Sequence, residues 1–177
     1  PENELIRARN HVHEIEDWYL RTVNVVTQRG RYWIRATRLF CAGIDSPKAV
    51  EYGTGCGSNV MHAAQLAPEI AWTGIDASSG QVRWCQEAAE RLEIPTGWAA
   101  DPAEHLYGTF DSVAVLDVLE HTAYPVPVLE RAERYVRPGG IVTLSLPRGP
   151  WSLHTRNEVG IGNHINVVSI GTLAALA

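Results

Sequence analysis

The chain has 177 residues, of which 45% are hydrophobic and 20% are charged. This length and composition predict one globular domain and exclude a chain that is disordered throughout. Its 20 acidic residues outnumber the 15 lysine and arginine residues, and the net charge of -5 disfavours a nucleic-acid binder that works through a general basic field.

The first part of the sequence is predicted to form a helical cap. Apolar residues in the segment 4–28 recur at the spacing of an amphipathic helix, and we expect that helix to break near Gly30. A second helix is predicted over residues 32–42, followed by a loop at Asp45-Ser46-Pro47. We therefore divide the chain into an N-terminal helical cap and a core; the two parts are residues 1–46 and residues 47–177.

In the core, short apolar runs alternate with helical patterns. The predicted strands are residues 49–52, 70–75, 97–100, 112–116 and 141–146. The predicted helices are residues 59–66, 79–92 and 126–136, and Pro138-Gly139-Gly140 is expected to end the last of them. This alternation predicts an α/β fold, a Rossmann-like, doubly wound and mostly parallel sheet with helices on both faces. Sheets of this kind bind ligands beyond the carboxyl ends of their strands.

The strongest local signal is a glycine-rich loop, residues 53–57 (Gly-Thr-Gly-Cys-Gly), between a predicted strand and a predicted helix. Glycines permit the tight turn and allow a ligand to approach the backbone. The spacing departs from a dinucleotide-binding loop, because the third glycine comes one residue early and Ser58 takes the last position. Glu51 would repel a pyrophosphate, whereas it suits a ligand with an ammonium and a sulfonium group, such as S-adenosylmethionine.

Two further acidic residues end the next two predicted strands. Asp76 follows the loop by about 20 residues, the distance at which ribose-binding carboxylates lie. Asp101 ends the next strand, where a carboxylate can accept a hydrogen bond from an exocyclic amine such as that of adenine. Each carboxylate alone also reads as a solvated strand end or a helix cap, but together with Glu51 they indicate a cationic ligand that carries adenosine.

With residues 110–113 (Phe-Asp-Ser-Val), 118–121 (Val-Leu-Glu-His) and 137–140 (Arg-Pro-Gly-Gly), these motifs resemble class I S-adenosylmethionine-dependent methyltransferases. The Leu-Glu-His motif and the Arg-Pro-Gly-Gly turn are similar to branches that act on quinones, sugars and other small molecules. The resemblance runs from about residue 48 to near the C-terminus. It implies an enzyme with S-adenosylmethionine as cofactor and S-adenosylhomocysteine as product.

The resemblance also implies the residues that hold the cofactor. By the part of the ligand they would meet, these are Glu51, Gly53, Gly55 and Gly57 for the methionine moiety, Asp76 for the ribose, Ala77, Ala100 and Asp101 for the adenine, and Asp117 and Val118 for the methyl-donor pocket. We expect no metal, because no cluster of carboxylates and histidines stands at ligand spacing.

Methyl transfer from a sulfonium is an in-line displacement, in which the protein mainly aligns donor and acceptor. An oxygen acceptor also needs a base, and His121 is the candidate because it follows the fourth predicted strand and histidine titrates near neutrality. The alternative is that the Glu120-His121 pair shapes the loop or caps the next helix. Arg31, Arg35 and Arg38 form one basic helix face, which either is solvated or receives an anionic acceptor.

We therefore predict O-methylation of a small hydroxylated molecule or sugar. The alternative from another class is a donor-binding but catalytically silent domain of a larger assembly. A nicotinamide-dependent oxidoreductase is disfavoured by Glu51 and the loop spacing, and a nucleic-acid methyltransferase by the absence of an Asn/Asp-Pro-Pro-Tyr/Phe motif and of a catalytic Pro-Cys.

Two expectations concern the whole chain. Five strands can be counted where the family fold has seven, so we expect the C-terminal strands to be missing from a fragment or a truncated form, with a homodimer through the open sheet edge as the alternative. Three scattered cysteines, Cys41, Cys56 and Cys85, no apolar run near the ~20 residues of a membrane helix and no signal peptide predict a reduced, cytoplasmic compartment without membrane association.

Overall fold

A computed structural model describes residues 27–146 of the chain, with side chains from residue 30 onward. In chain order the elements are α1 (Thr27–Phe40), β1 (Lys48–Tyr52), α2 (Ser58–Leu66), β2 (Ala71–Asp76), α3 (Ser79–Arg91), β3 (Gly97–Ala100), β4 (Phe110–Leu116), α4 (Pro125–Glu133) and β5 (Val136–Ser145). Two short 3-10 helices lie before and after β4; they are Glu104–Leu106 and Leu119–His121. The helix predicted over residues 4–28 lies almost entirely outside the described residues. Residues 147–177 lie outside them as well, so the expectation that the C-terminal strands are missing stays a prediction.

The five described strands form one parallel sheet in the order β3-β2-β1-β4-β5. Every residue of β4 is buried, and β1 is buried after Lys48, as expected of parallel strands covered on both faces. The strand order reverses between β1 and β4, and such a switch point opens a crevice at the carboxyl ends of the strands. The predicted Rossmann-like α/β sheet is confirmed, and the glycine loop leaves β1 at this crevice.

Two apolar layers cover the sheet. Helices α1, α2 and α3 pack on one face, where the rings of Trp33 and Trp72 meet edge to face at 4.9 Å between centroids. Helix α4 packs on the other face, where Ala132 and Tyr135 join Val113 and other buried residues of the sheet. Helices therefore lie on both faces, as the sequence predicts.

The structure corrects two predicted helix boundaries. Helix α1 runs through Gly30 without a break, because its packing against α2 and the sheet outweighs the roughly 1 kcal/mol that glycine costs within a helix. Helix α4 ends at Glu133, so the Arg-Pro-Gly-Gly segment is not a turn that stops the helix but the first part of β5.

That segment forms a bulge in β5. Val136 pairs with Phe110 and Ile141 pairs with Ser112, so residues 137–140 face the single residue Asp111. The Asp111 carboxylate accepts hydrogen bonds from the Lys48 backbone N–H at 2.8 Å and from Arg137 Nε at 2.6 Å. The glycines and the arginine therefore shape the amino end of the sheet.

None of the helices in the described part of the chain is long and apolar enough to span a bilayer. The division into a cap of residues 1–46 and a core of residues 47–177 stays a prediction. Within it, α1 contributes Trp33 and Ile34 to the same apolar layer as α2 and α3.

Candidate functional site

The glycine loop, residues 53–57, joins β1 to α2 at the carboxyl edge of the sheet. The backbone N–H groups of Gly53 and Thr54 both donate to the Ile75 carbonyl, at 2.8 and 3.0 Å, and anchor the loop to β2. Gly53, Gly55 and Gly57 have φ values of 75, 52 and 75°, in the left-handed region that glycine adopts without steric cost. The loop conformation therefore favours glycine at all three positions.

Close packing adds a second reason for two of these glycines. A Cβ on Gly53 would lie 2.6 Å from Cγ2 of Val118, and one on Gly57 would lie 2.5 Å from Cη2 of Trp98. The side chains of Val118 and Trp98 thus hold the loop from two sides. The path of the loop is therefore constrained by packing against these two side chains.

Glu51 lies beneath the loop and is 1% exposed. Its Oε2 accepts from the hydroxyl of Thr54 at 3.0 Å and its Oε1 accepts from Nδ2 of Asn59 at 2.5 Å. Burial, with a smaller contribution from the charges of Asp117 and Asp76, raises the pKa of Glu51 to about 7, although the two hydrogen bonds act to lower it. A cation beside this carboxyl would favour its ionised form.

Asp76 ends β2 and ties the loop to the next helix. Its Oδ2 accepts from the Gly55 N–H and its Oδ1 from the Ser78 N–H, both at 2.9 Å. Each carboxylate oxygen can accept a further hydrogen bond, and Asp76 is only half-buried, so two hydroxyl groups of a ligand can still donate to it. Ala77, the next residue, is exposed.

Asp101 is placed differently from the other two carboxylates. Its side chain is 2% exposed and accepts from Tyr52 Oη at 3.0 Å, Tyr135 Oη at 2.7 Å and Arg131 Nη1 at 3.0 Å. Three protein donors thus use most of its roughly four acceptor positions. Asp101 belongs to a network on the α4 face of the sheet, while Ala100 is exposed at the end of β3. An adenine contact by the Asp101 side chain stays a prediction.

The segment after β4 lies against the loop. Asp117 has a positive φ of 54° and donates its backbone N–H to Ser145 on β5 at 2.9 Å. Its carboxylate is near enough to Glu51 to raise the pKa of that residue. Val118 contacts Gly53 and directly precedes the short helix Leu119–His121. The exposed His121 ends this helix, and its backbone N–H donates to the Val118 carbonyl at 3.0 Å.

The structure therefore brings most of the predicted site residues to one edge of the sheet. Glu51, the glycine loop, Asp76, Asp117 and Val118 are linked by the contacts above, whereas Ala77 and Ala100 stand at neighbouring strand ends. Within residues 27–146, no group of three or more histidine, cysteine or acidic side chains lies close enough together to hold a metal ion.

Sequence reasoning missed the residues that support the site. Asn59 and Thr54 bind Glu51, Trp98 packs on the loop, and Cys85 donates its thiol to the Gly55 carbonyl at 3.3 Å. Asn59 lies eight positions after Glu51 in the first turn of α2, and this placement could have indicated that it contacts Glu51. The position of Trp98 depends on the β2–β3 pairing, which no local sequence pattern indicates.

Comparison with known sequences gives a family. A sequence model of the methyltransferase domain family matches residues 50–142, more than half of the chain. The ubiquinone biosynthesis O-methyltransferase of Pseudomonas aeruginosa (strain LESB58) is 33% identical over 113 residues, which cover 59% of this chain and 46% of that protein. The protein of the same name from Pseudomonas syringae pv. tomato is 33% identical over 123 residues, 67% of this chain and 53% of its own. The chain spans about half the length of these relatives.

Solved structures share the fold. The YcgJ protein of Bacillus subtilis superposes with a TM-score of 0.64 at 15% identity, over 82% of this chain and 66% of that chain. Phosphoethanolamine N-methyltransferase 2 of Haemonchus contortus, in complex with S-adenosyl-L-methionine, superposes with a TM-score of 0.63 at 18% identity, over 81% of this chain and 35% of that chain. With the family match, these likenesses confirm the expected class I methyltransferase fold.

Proposed function

Because the chain belongs to the methyltransferase domain family, we propose that it binds S-adenosylmethionine and transfers the methyl group to an oxygen atom of a small hydroxylated molecule. One observation carries the proposal: the two carboxyl groups of Glu51 and Asp76 flank the glycine loop at the switch point of the sheet. Oxygen as the acceptor atom is supported by the Pseudomonas relatives, which are named as O-methyltransferases of ubiquinone biosynthesis.

Each part of the cofactor has a proposed partner. The buried Glu51 and the loop backbone bind the methionine moiety, since an anion of raised pKa gains most from a cationic ligand. Asp76 accepts both ribose hydroxyls, while Ala77, Ala100 and Asp101 border the adenine. Asp117 and Val118 line the methyl-donor pocket. The cofactor supplies an activated methyl group, so the chain has to bind, align and deprotonate the acceptor.

His121 is the proposed base. It is exposed and lies within four residues of Val118 on the segment that packs against the loop. An imidazole in this position can accept the proton that an acceptor hydroxyl loses as its oxygen is methylated. The sugar acceptor, the homodimer and the cytoplasmic location expected from the sequence remain predictions.

Donor binding is tested by calorimetric titration of the chain with S-adenosylhomocysteine and, separately, with NAD. We expect only S-adenosylhomocysteine to bind. Asp76→Asn should weaken it by about tenfold or more, because the ribose loses a charged acceptor. Asp45→Asn, an exposed aspartate in the loop before β1, is the matched control and should leave the affinity unchanged. NAD binding, or an unchanged affinity in Asp76→Asn, would overturn the donor assignment.

Turnover is tested separately with 3,4-dihydroxybenzoate and related catechols, following S-adenosylhomocysteine release and the methylated product. We expect an O-methylated catechol. Donor binding without turnover on any hydroxylated acceptor would instead support the catalytically silent domain.

A further inference from the structure

A cavity lies at the opposite end of the sheet from the glycine loop. It has a volume of about 910 Å³ and is bordered by α1, by the loop before β1 and by the end of α2. Pro47 and Ile70 in its lining directly precede β1 and β2, so it opens at the amino ends of these strands. Strand β1 alone spans roughly 16 Å, which separates this cavity from the site described above.

One wall of the cavity is cationic. Arg31, Arg35 and Arg38 line it from successive turns of α1. Arg38 is paired with Glu69, whose Oε1 accepts from Arg38 Nε at 2.7 Å. For Arg31 and Arg35, no ion pair is present within residues 27–146. Among the described residues, these two guanidinium groups therefore lack an ion-pair partner, and both face one cavity of an acidic chain.

The rest of the cavity is apolar. Ile34 and Ile70 are buried in its base, whereas Leu39 and Leu66 at its margin are 70% and 47% exposed. Large aliphatic side chains at this exposure are unfavourable next to water, and here they stand beside arginines in a concave surface. An aliphatic chain would cover the leucines while an anionic head reached the guanidinium groups.

We propose that this cavity binds an amphipathic anion, a free aliphatic chain with a carboxylate or phosphate head. A small inorganic anion would leave the leucines exposed, and a neutral apolar ligand would make no use of the positive charge of Arg31 and Arg35. The volume is within the range of small-molecule sites. Because the cavity is concave, it fits a single molecule that binds from solution better than it fits the flat surface of a membrane. This proposal is independent of the proposed methyl transfer.

The test is calorimetric titration of the full chain with octanoate, decanoate and dodecanoate below their micelle concentrations. Each added methylene that is buried should tighten binding about fourfold. Decanol, which keeps the chain and lacks the charge, should bind about tenfold more weakly than decanoate. An affinity that does not change with chain length, or decanol binding equal to decanoate, contradicts the proposal.

Two variants locate the binding. Arg31→Gln/Arg35→Gln should lower the decanoate affinity about tenfold and leave decanol unaffected. The matched control Arg83→Gln/Arg91→Gln removes two exposed arginines of α3 and should change neither. Leu66→Asn alters an exposed position and should weaken both ligands. Decanoate binding that survives the first double variant overturns the site.

Two further measurements distinguish a free anion from a membrane lipid as the ligand, and distinguish this proposal from the proposed methyl transfer. Vesicles of anionic phospholipid that bind the chain, with no binding of monomeric decanoate, would contradict a free ligand and indicate a membrane lipid. S-adenosylhomocysteine should bind Arg31→Gln/Arg35→Gln as it binds the unaltered chain. The titration with S-adenosylhomocysteine therefore tests the methyltransferase proposal, and the titration with decanoate tests the proposed anion site, each without the other.

Discussion

At the scale of single residues, the protonation state of the Glu51 carboxyl group decides how strongly the site can bind a cation. Burial raises its pKa to about 7, although Thr54 and Asn59 donate hydrogen bonds that favour the anion. Desolvation is therefore the larger effect, and it leaves a carboxyl that is partly protonated near neutral pH. A cationic ligand next to Glu51 would return it to the ionised form, so ligand binding and proton release are coupled.

This coupling predicts that the affinity for S-adenosylmethionine falls as the pH decreases through about 7. Below that pH Glu51 is protonated before binding, and the proton has to be released for the cation to gain its partner. Glu51→Gln should lower the affinity about tenfold and remove most of the pH dependence. Titrations at about pH 6 and about pH 8, in buffers of different ionisation enthalpy, measure both effects.

The matched control is Glu69→Gln, an exposed glutamate at the far end of the sheet that should leave the pH dependence intact. If Glu51→Gln and the unaltered chain showed parallel pH profiles, the assignment of Glu51 as the partner of the cation would be wrong.

For His121 the prediction concerns rate and not affinity. His121→Ala should lower kcat for an O-methyl acceptor by about tenfold or more, because the acceptor hydroxyl loses its base, while the Kd for S-adenosylhomocysteine stays unchanged. His105→Ala, at another exposed histidine in a short 3-10 helix, serves as the control. A variant that retains full activity would leave His121 with a role in shaping the loop only.

At the scale of elements, Trp98 joins three separate pieces of backbone. Its indole lies against Gly57 in the glycine loop and against Gly74 in β2, so β3 supports the loop through one side chain. The backbone of Gly74 is not in the left-handed conformation, so packing alone accounts for glycine at this position. A Cβ there would overlap the six-membered ring of Trp98 and lie 3.0 Å from Cγ2 of Thr54.

Gly74→Ala is therefore expected to lower the free energy of unfolding by about 1–3 kcal/mol through overpacking. The double variant Gly74→Ala/Trp98→Leu should regain stability relative to Trp98→Leu alone, because the smaller side chain leaves room for the methyl group. Urea unfolding of the four proteins in this cycle gives the coupling energy between the two sites. Additive effects would mean that Thr54 or the backbone, and not Trp98, imposes the glycine.

The elements also show what local sequence patterns can predict. The five strands were predicted because each is a short apolar run between turn signals, as in β4, where every residue is buried. The end of α4 was placed too late because Tyr135 and Val136 continue its apolar spacing. Only the pairing of Val136 with Phe110 makes that stretch a strand, and such a pairing has no local signature.

The same limit applies to the site. The glycine loop, Glu51 and Asp76 are near in sequence or at a recurrent spacing, so their proximity could be predicted from the strand–loop–helix order. The partners of Asp101 could not, because Tyr135 and Tyr52 lie 34 and 49 positions away. Their meeting depends on how α4 and β1 pack on the sheet.

At the scale of the whole molecule, the sheet separates the two proposed binding sites. The glycine loop lies at the carboxyl ends of the strands, and the arginine-lined cavity lies at the amino ends of β1 and β2. Carboxyl groups lie at the glycine loop, and guanidinium groups line the cavity. A chain of net charge -5 thus presents opposite charges to its two proposed ligands.

This separation predicts that the two ligands stabilise the fold independently. S-adenosylhomocysteine at ~100 times its Kd should add about 2.7 kcal/mol to the free energy of unfolding, and decanoate at the same multiple of its own Kd should add as much. Since the sites share no residue, the two increments should add to within about 0.5 kcal/mol, as measured by urea unfolding with each ligand and with both. A sum that deviates by 1–3 kcal/mol, a range typical of allosteric coupling, would show that the strands transmit an effect between the two ends. In that case the decanoate affinity must change by the same factor when S-adenosylhomocysteine is bound, which a second titration measures directly.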